Sequence, residues 1–184
     1  MDSRVALAFQ RFDRAELKFC RYLNRPNGYV VIRYVFRGVS WLGDGWFWYA
    51  LIAALPLLYG AEGWPVAVQM TLTGAAGVFI YKAIKGRAVR ERPFITHAAI
   101  NCHVAPLDRY SFPSGHTLHA VSFTWLMASH FPEWAGLLGA FTVLVALSRV
   151  LLGLHYPTDV AAGALLGAMI ATISSRAASL FGML

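Results

Sequence analysis

Five stretches of the chain, 45–61, 64–81, 114–131, 134–148 and 158–175, contain one charged side chain between them, Asp159. No other feature constrains the fold as strongly. A soluble chain of 184 residues has no interior large enough for five such segments, whereas a bilayer accepts them as helices. Composition agrees: 58% of the residues are hydrophobic and 14% charged, against about 25% charged in soluble domains. The expected architecture is all-α: an integral membrane helical bundle of about five transmembrane helices, one domain over 1–184. Each stretch is slightly shorter than the ~20 residues a typical bilayer needs, so flanking residues or a thinned bilayer complete the crossing. Trp46, Trp48 and Tyr59 suit the interfaces as aromatic anchors.

Ahead of these spans, residues 1–43 read as interfacial helices, and 44–176 as the membrane core. Over residues 3–24, Val5, Phe9, Phe12, Phe19 and Leu23 are set among Arg11, Arg14, Lys18 and Arg21, the pattern of an amphipathic helix lying on headgroups. Pro26-Asn27-Gly28 turns the chain. Tyr29 to Leu42 is apolar but carries Arg33 and Arg37 on one helical face, so a second interfacial or obliquely inserted helix is expected. A sixth span would require 5–23 or 29–43 to cross despite these charges. Asp44, between two glycines, is placed to cap the first span. Gly163 and Gly167 permit close helix packing, and a homo-oligomer is one use of that pattern. Cys20 and Cys102 suggest no disulfide framework, and no secretory signal core precedes the first span.

The net charge is +7, but the basic residues sit beside long apolar runs rather than on a polar surface, which excludes a nucleic-acid partner. If five spans alternate, four of their ends share one membrane face. They bring Lys85 and Arg92, then Ser114, Gly115 and His116, then Arg149, then His155 and Asp159. Three cations with no acidic cluster in the sequence beside them call for an anion, and guanidinium forks fit phosphate. Ser114 and Gly115 open a helix after Pro113, and their backbone N–H groups are expected to point at the same anion. His116 and His155 flank that position. One can attack phosphorus while the other protonates the departing oxygen, with Asp159, four residues after His155, orienting the attacker.

Lys85-x6-Arg92-Pro93, Pro113-Ser114-Gly115-His116 and Ser148-Arg149-x5-His155-x3-Asp159 together resemble the three signature motifs of the type 2 phosphatidic acid phosphatase superfamily, over about residues 40–175. The resemblance implies a metal-independent lipid phosphate phosphatase without cofactor, working through a phosphohistidine. It implies His155 as nucleophile, Asp159 as its orienting partner and His116 as general acid. Lys85, Arg92, Ser114, Gly115 and Arg149 would hold the phosphoryl oxygens. Substrates in view are phosphatidic acid, phosphatidylglycerophosphate and polyprenyl phosphates or pyrophosphates.

Other readings are weaker. A vanadate-dependent haloperoxidase would share the anion cradle but is soluble. A phosphate transporter or a silent lipid-binding protein would not need His116, His155 and Asp159 intact. Lys82, Arg87 and Arg90 read as interfacial anchors, and His119 as facing the bundle. His97, Cys102 and His103 read as loop residues rather than a metal site, and Ser114 lacks a nucleophile elbow. Fifteen of the sixteen basic residues fall on the expected catalytic face. By the positive-inside rule that face is cytoplasmic, in a bacterial inner membrane, with a periplasmic site as the alternative.

Overall fold

The structure is a computed structural model that describes residues 3–106 and 108–180, with side chains described from Arg14 onward. Its helices are α1 (Ser3–Asn24), α2 (Val30–Trp41), α3 (Phe47–Tyr59), α4 (Gly63–Lys85), α5 (Pro93–Thr96), α6 (Gly115–His130), α7 (Ala135–Leu151) and α8 (Pro157–Leu180). The all-α expectation holds, and the five apolar stretches fold as α3, α4, α6, α7 and α8. Among the described residues three helical segments are long and apolar enough to cross a membrane: the stretch Val30–Lys85, which contains α2 to α4, then Pro132–Leu151 and Pro157–Leu180. At 16 residues α6 is short for a span.

α3 has only 13 residues, or about 20 Å, against a hydrocarbon core of about 30 Å. Its missing length comes from α2. The two helices join through a π-type turn, Leu42–Trp46, with Gly45 at φ +129° where a side chain would be strained. α2 thus continues into α3 as one kinked rod that packs beside α7. Asp44 caps nothing, because its side chain makes no bond to the helix that follows.

Far from the motifs, the Tyr59 ring stacks on Phe131 at 3.7 Å. The Tyr59 hydroxyl donates to Glu133 (2.8 Å) and accepts from Trp134 Nε1 (2.7 Å). This ties the end of α3 to the turn between α6 and α7. Trp48 is fully buried with Leu55, Met70, Leu126 and Leu138, so it is a core residue and not an interfacial anchor, whereas Trp46 is exposed. Leu57, Phe79, Leu137, Leu165 and Ile173 point outward, as lipid-facing side chains do.

Lipid removes most of the hydrophobic drive between helices, so contact and hydrogen bonds must hold the bundle. Thr73 bonds Ser174 at 2.7 Å and Thr124 bonds Thr142 at 2.7 Å, each contributing about 0.6 kcal/mol. Gly163 and Gly167 are used inside the chain: a Cβ on either would lie 2.4 Å from a carbonyl oxygen of α6, on Ser114 or Leu118. The close packing that this pair permits is used to seat α8 on α6.

α1 is docked on the rest of the protein by one face. Val5, Phe9, Arg11 and Phe12 lie outside the described side chains. In the rest of α1, Glu16, Cys20 and Asn24 form a buried face docked on the protein, while Phe19 stays exposed. Asn24 donates to the carbonyls of Asn101 (2.9 Å) and Leu151 (2.8 Å) and accepts from Asn101 N–H (2.9 Å). Cys20 packs with Ile100, Val150 and Tyr156. α1 is thus fastened over the loops that carry the motifs.

Candidate active site

The ends of α4 and α7 and the starts of α6 and α8 meet at the end of the bundle opposite Tyr59, bringing the three motifs together. Lys85 closes α4, and Arg92 stands in the following loop. Asp108 lies between them. Lys85 Nζ reaches its two oxygens at 2.7 and 2.9 Å, and Arg92 Nη2 reaches one at 2.9 Å. Arg92 also donates to the carbonyls of Asp108 (2.9 Å) and Leu154 (2.8 Å). The sequence showed no acid beside these cations; the fold supplies one from the loop before α6. Burial pushes the Asp108 carboxyl up, but Lys85 and Arg92 outweigh it and hold the group below its ordinary 3.8.

Arg149 has no such partner. Its side chain is buried, Nη1 donates to the Ser40 hydroxyl of α2, and Nε has no partner. Among the described residues no carboxylate lies within ion-pair distance of it. A buried, unpaired guanidinium costs several kcal/mol, which an anion in the adjoining cavity would offset.

His155 is buried in the turn between α7 and α8. Arg92 Nη1 lies 3.3 Å from its Nε2. Guanidinium nitrogens only donate, so Nε2 presents its lone pair and Nδ1 carries the proton. Nδ1 faces Asp159 Oδ2 at 3.6 Å, beyond hydrogen-bond length. Burial, then the charges of Arg149, Arg92 and Lys85, hold the imidazole well below its ordinary 6.5, which keeps it neutral. Asp159 is fully buried; Arg90 Nη1 donates to Oδ1 and Tyr156 N–H to Oδ2, both at 2.8 Å. Arg90 is therefore not an interfacial anchor like the exposed Lys82 and Arg87. Its other side meets Glu16 of α1, a residue that no sequence pattern singles out.

Across the cavity, His116 Nε2 lies 3.1 Å from Asp44 Oδ1. The kink at Gly45 turns Asp44 toward this ring instead of along the helix axis. His119 borders the same cavity while its nitrogens lie 2.9 and 3.2 Å from the carbonyls of Gly115 and Gly74, which tie it to the bundle. Ser114 departs from expectation: its N–H donates to the Asp159 carbonyl (3.0 Å) and its hydroxyl pairs with Thr117 (3.0 Å). It joins α6 to α8, and only Gly115 of that pair borders the cavity. In the loop before α6, Cys102 Sγ donates to the Val104 carbonyl at 3.2 Å.

These groups border a cavity of about 440 Å³. One end carries Lys85, Arg92, Arg149, His116 and His155. The other runs between α3 and α4 past Ile52, Ala53, Met70 and Val78. The arrangement suits an anionic head with an apolar tail.

The chain is similar to known proteins. Residues 63–181 match the family model described as the PAP2 superfamily. A decaprenylphosphoryl-5-phosphoribose phosphatase of Mycobacterium tuberculosis is 38% identical over 74% of this chain and 75% of its own length. Phosphatidylglycerophosphatase B of Bacillus subtilis is 27% identical over 89% of this chain and 81% of its own. Among solved structures, the transmembrane PAP2-type phosphatidylglycerolphosphate phosphatase from Bacillus subtilis superposes with a TM-score of 0.72 at 26% identity, covering 92% of this chain and 85% of that one. With three motifs on one cavity, an all-helical membrane bundle and these relatives, the chain belongs to the PAP2 superfamily and is an integral membrane phosphatase.

Proposed function

We propose that this phosphatase removes the terminal phosphate of a membrane lipid through a phosphohistidine on His155. The observation that carries the reading is the buried Arg149 guanidinium, without a carboxylate partner among the described residues, beside Lys85 and Arg92 and facing two histidines. The three cations and Gly115 hold the phosphoryl oxygens. His155 Nε2 attacks phosphorus and the P–O bond to the lipid breaks. Asp159 steadies the Nδ1 proton as positive charge grows on the ring, closing the 3.6 Å gap. His116, supported by Asp44, gives its proton to the departing oxygen. Water then attacks the phosphohistidine, its proton passes to His116, the P–N bond breaks and inorganic phosphate leaves. The cations supply the charge stabilisation, so turnover should persist in EDTA.

The apolar wall between α3 and α4 suits a chain entering sideways from the bilayer. Relatives named for polyprenyl-linked phosphates reach 38% and 32% identity, against 27% for phosphatidylglycerophosphatase B. A polyprenyl phosphate or pyrophosphate, or a phosphosugar carried on a polyprenyl phosphate, therefore leads the candidates, ahead of phosphatidylglycerophosphate and phosphatidic acid. We place the site on the cytoplasmic side of a bacterial inner membrane. The docking of the basic helix α1 over the motif loops favours this side, since it puts Arg14, Lys18 and Arg21 there.

Phosphate release by purified protein from a panel of these lipids in EDTA tests the activity. Release should be greatest from a polyprenyl-linked phosphate, and no release from any lipid would overturn the reading. A cysteine at exposed Ala98, in protein with Cys102→Ser, should resist an impermeant reagent in intact cells; ready labelling would put the site outside.

A further inference from the structure

We infer that Glu16 of α1 is a positioning residue for phosphoryl transfer, acting on Asp159 through Arg90 and Thr158. The inference rests on the phosphohistidine reading above. It concerns a residue outside 63–181, the part of the chain that matches the family.

Both Glu16 oxygens are engaged. Oε1 accepts from the Thr158 backbone N–H (2.9 Å) and hydroxyl, and Oε2 accepts from Arg90 Nη2. Arg90 Nη1 in turn binds Asp159 Oδ1 (2.8 Å) and Thr158 Oγ1 (2.7 Å), and the guanidinium lies 3.9 Å over the Tyr156 ring. Tyr156 supplies the N–H held by the other Asp159 oxygen. Two of the groups that hold the Asp159 carboxylate, Arg90 and Tyr156, are thus bound to Glu16 or packed on its partner, and Ser111 also supports the carboxylate.

A simple fastening of α1 does not explain this network. Asn24, Asn27 and the Cys20 contacts already hold the helix to the loops. A carboxylate only 4% exposed is costly to bury, and buried ion pairs add little net stability. Its effect is on the other carboxylate. With one guanidinium shared between Glu16 and Asp159, Asp159 keeps negative charge directed at the His155 Nδ1 proton. Without Glu16, Arg90 would close wholly on Asp159 and draw it from the ring.

Glu16→Gln keeps the shape and an acceptor for Thr158 but removes the charge. Its kcat should fall by about tenfold to hundredfold while KM and inhibition by orthovanadate stay within about twofold, since the cation cradle does not touch residue 16. The acid limb of its pH profile should move to lower pH, because His155 loses negative charge nearby. Asn24→Ala, which loosens α1 without touching Arg90, should keep kcat within about twofold. If Glu16→Gln cannot be recovered folded, Glu16→Asp, which keeps the charge but withdraws it by one methylene, should show the same split. An unchanged kcat and pH profile in the Glu16 variant would overturn the inference. So would a joint loss of turnover and orthovanadate binding that Asn24→Ala reproduces, which marks a structural role. Wild-type protein inactive on every lipid would overturn the phosphatase reading and this inference together.

Discussion

The two histidines of the site face one cavity, yet they are held by different kinds of structure. His155 sits in a buried turn, and its carboxylate partner is fully buried and bonded on both oxygens. His116 stands on the first turn of α6, and its partner Asp44 is 34% exposed at a glycine kink in the α2–α3 rod. The contrast follows from what each must do. A nucleophile has to be aligned with phosphorus before the reaction, whereas an acid must meet leaving groups and exchange its proton with water. Fixed geometry belongs on the first side and access on the second.

Four substitutions would break or sharpen this contrast. The largest effect is expected for His155→Asn, with kcat reduced at least about 10³-fold whatever the leaving group. His116→Ala should lose about 10²- to 10⁴-fold on a lipid alkyl phosphate. On an aryl phosphate, whose departing oxygen needs no proton, that loss should shrink to about tenfold or less. Equal dependence on the leaving group in the two variants would erase the division of roles. Asp44→Asn should cost about tenfold or less in kcat, because Asp44, at 34% exposed, is partly screened by water. Smallest, and opposite in sign, is Asp108→Asn. Asp108 occupies Lys85 and Arg92, the groups a phosphate must bind, and it stays ionised through the neutral range. Removing its charge should tighten orthovanadate inhibition by about threefold, and weaker inhibition would show that Asp108 orders the cradle instead of competing for it.

The two histidine supports also differ in how well the sequence exposes them. His155 and Asp159 are four residues apart at a helix entrance, so their meeting follows from local geometry. Charge-free stretches likewise announce the helices, because a bilayer leaves a backbone few alternatives. The pairing of His116 with Asp44 spans most of the bundle and depends on a left-handed glycine that no periodicity reveals. Ser114 looked like an anion ligand from its place at a helix start, but its N–H was already needed by the Asp159 carbonyl. Glu16, Ser40, Arg90 and Asp108 read as ordinary polar residues until packing buries the first two and sets the other two on the motif side chains. Gly163 and Gly167 carry a real signal of close approach, but sequence does not say whether the neighbour is another chain or α6. Local chemistry was legible; partners brought in from distant segments were not.

The central claim is a covalent phosphoryl group on His155 Nε2. It is tested most directly by rapid quench at alkaline pH after mixing enzyme with radiolabelled lipid phosphate, followed by peptide mapping. The account predicts an acid-labile, base-stable label on the peptide containing His155, more abundant in a variant slowed in hydrolysis, such as His116→Ala with an aryl phosphate. It predicts no label in His155→Asn. Label on another residue, or full turnover with no trapped phosphoenzyme in either the wild type or the slowed variant, would contradict it.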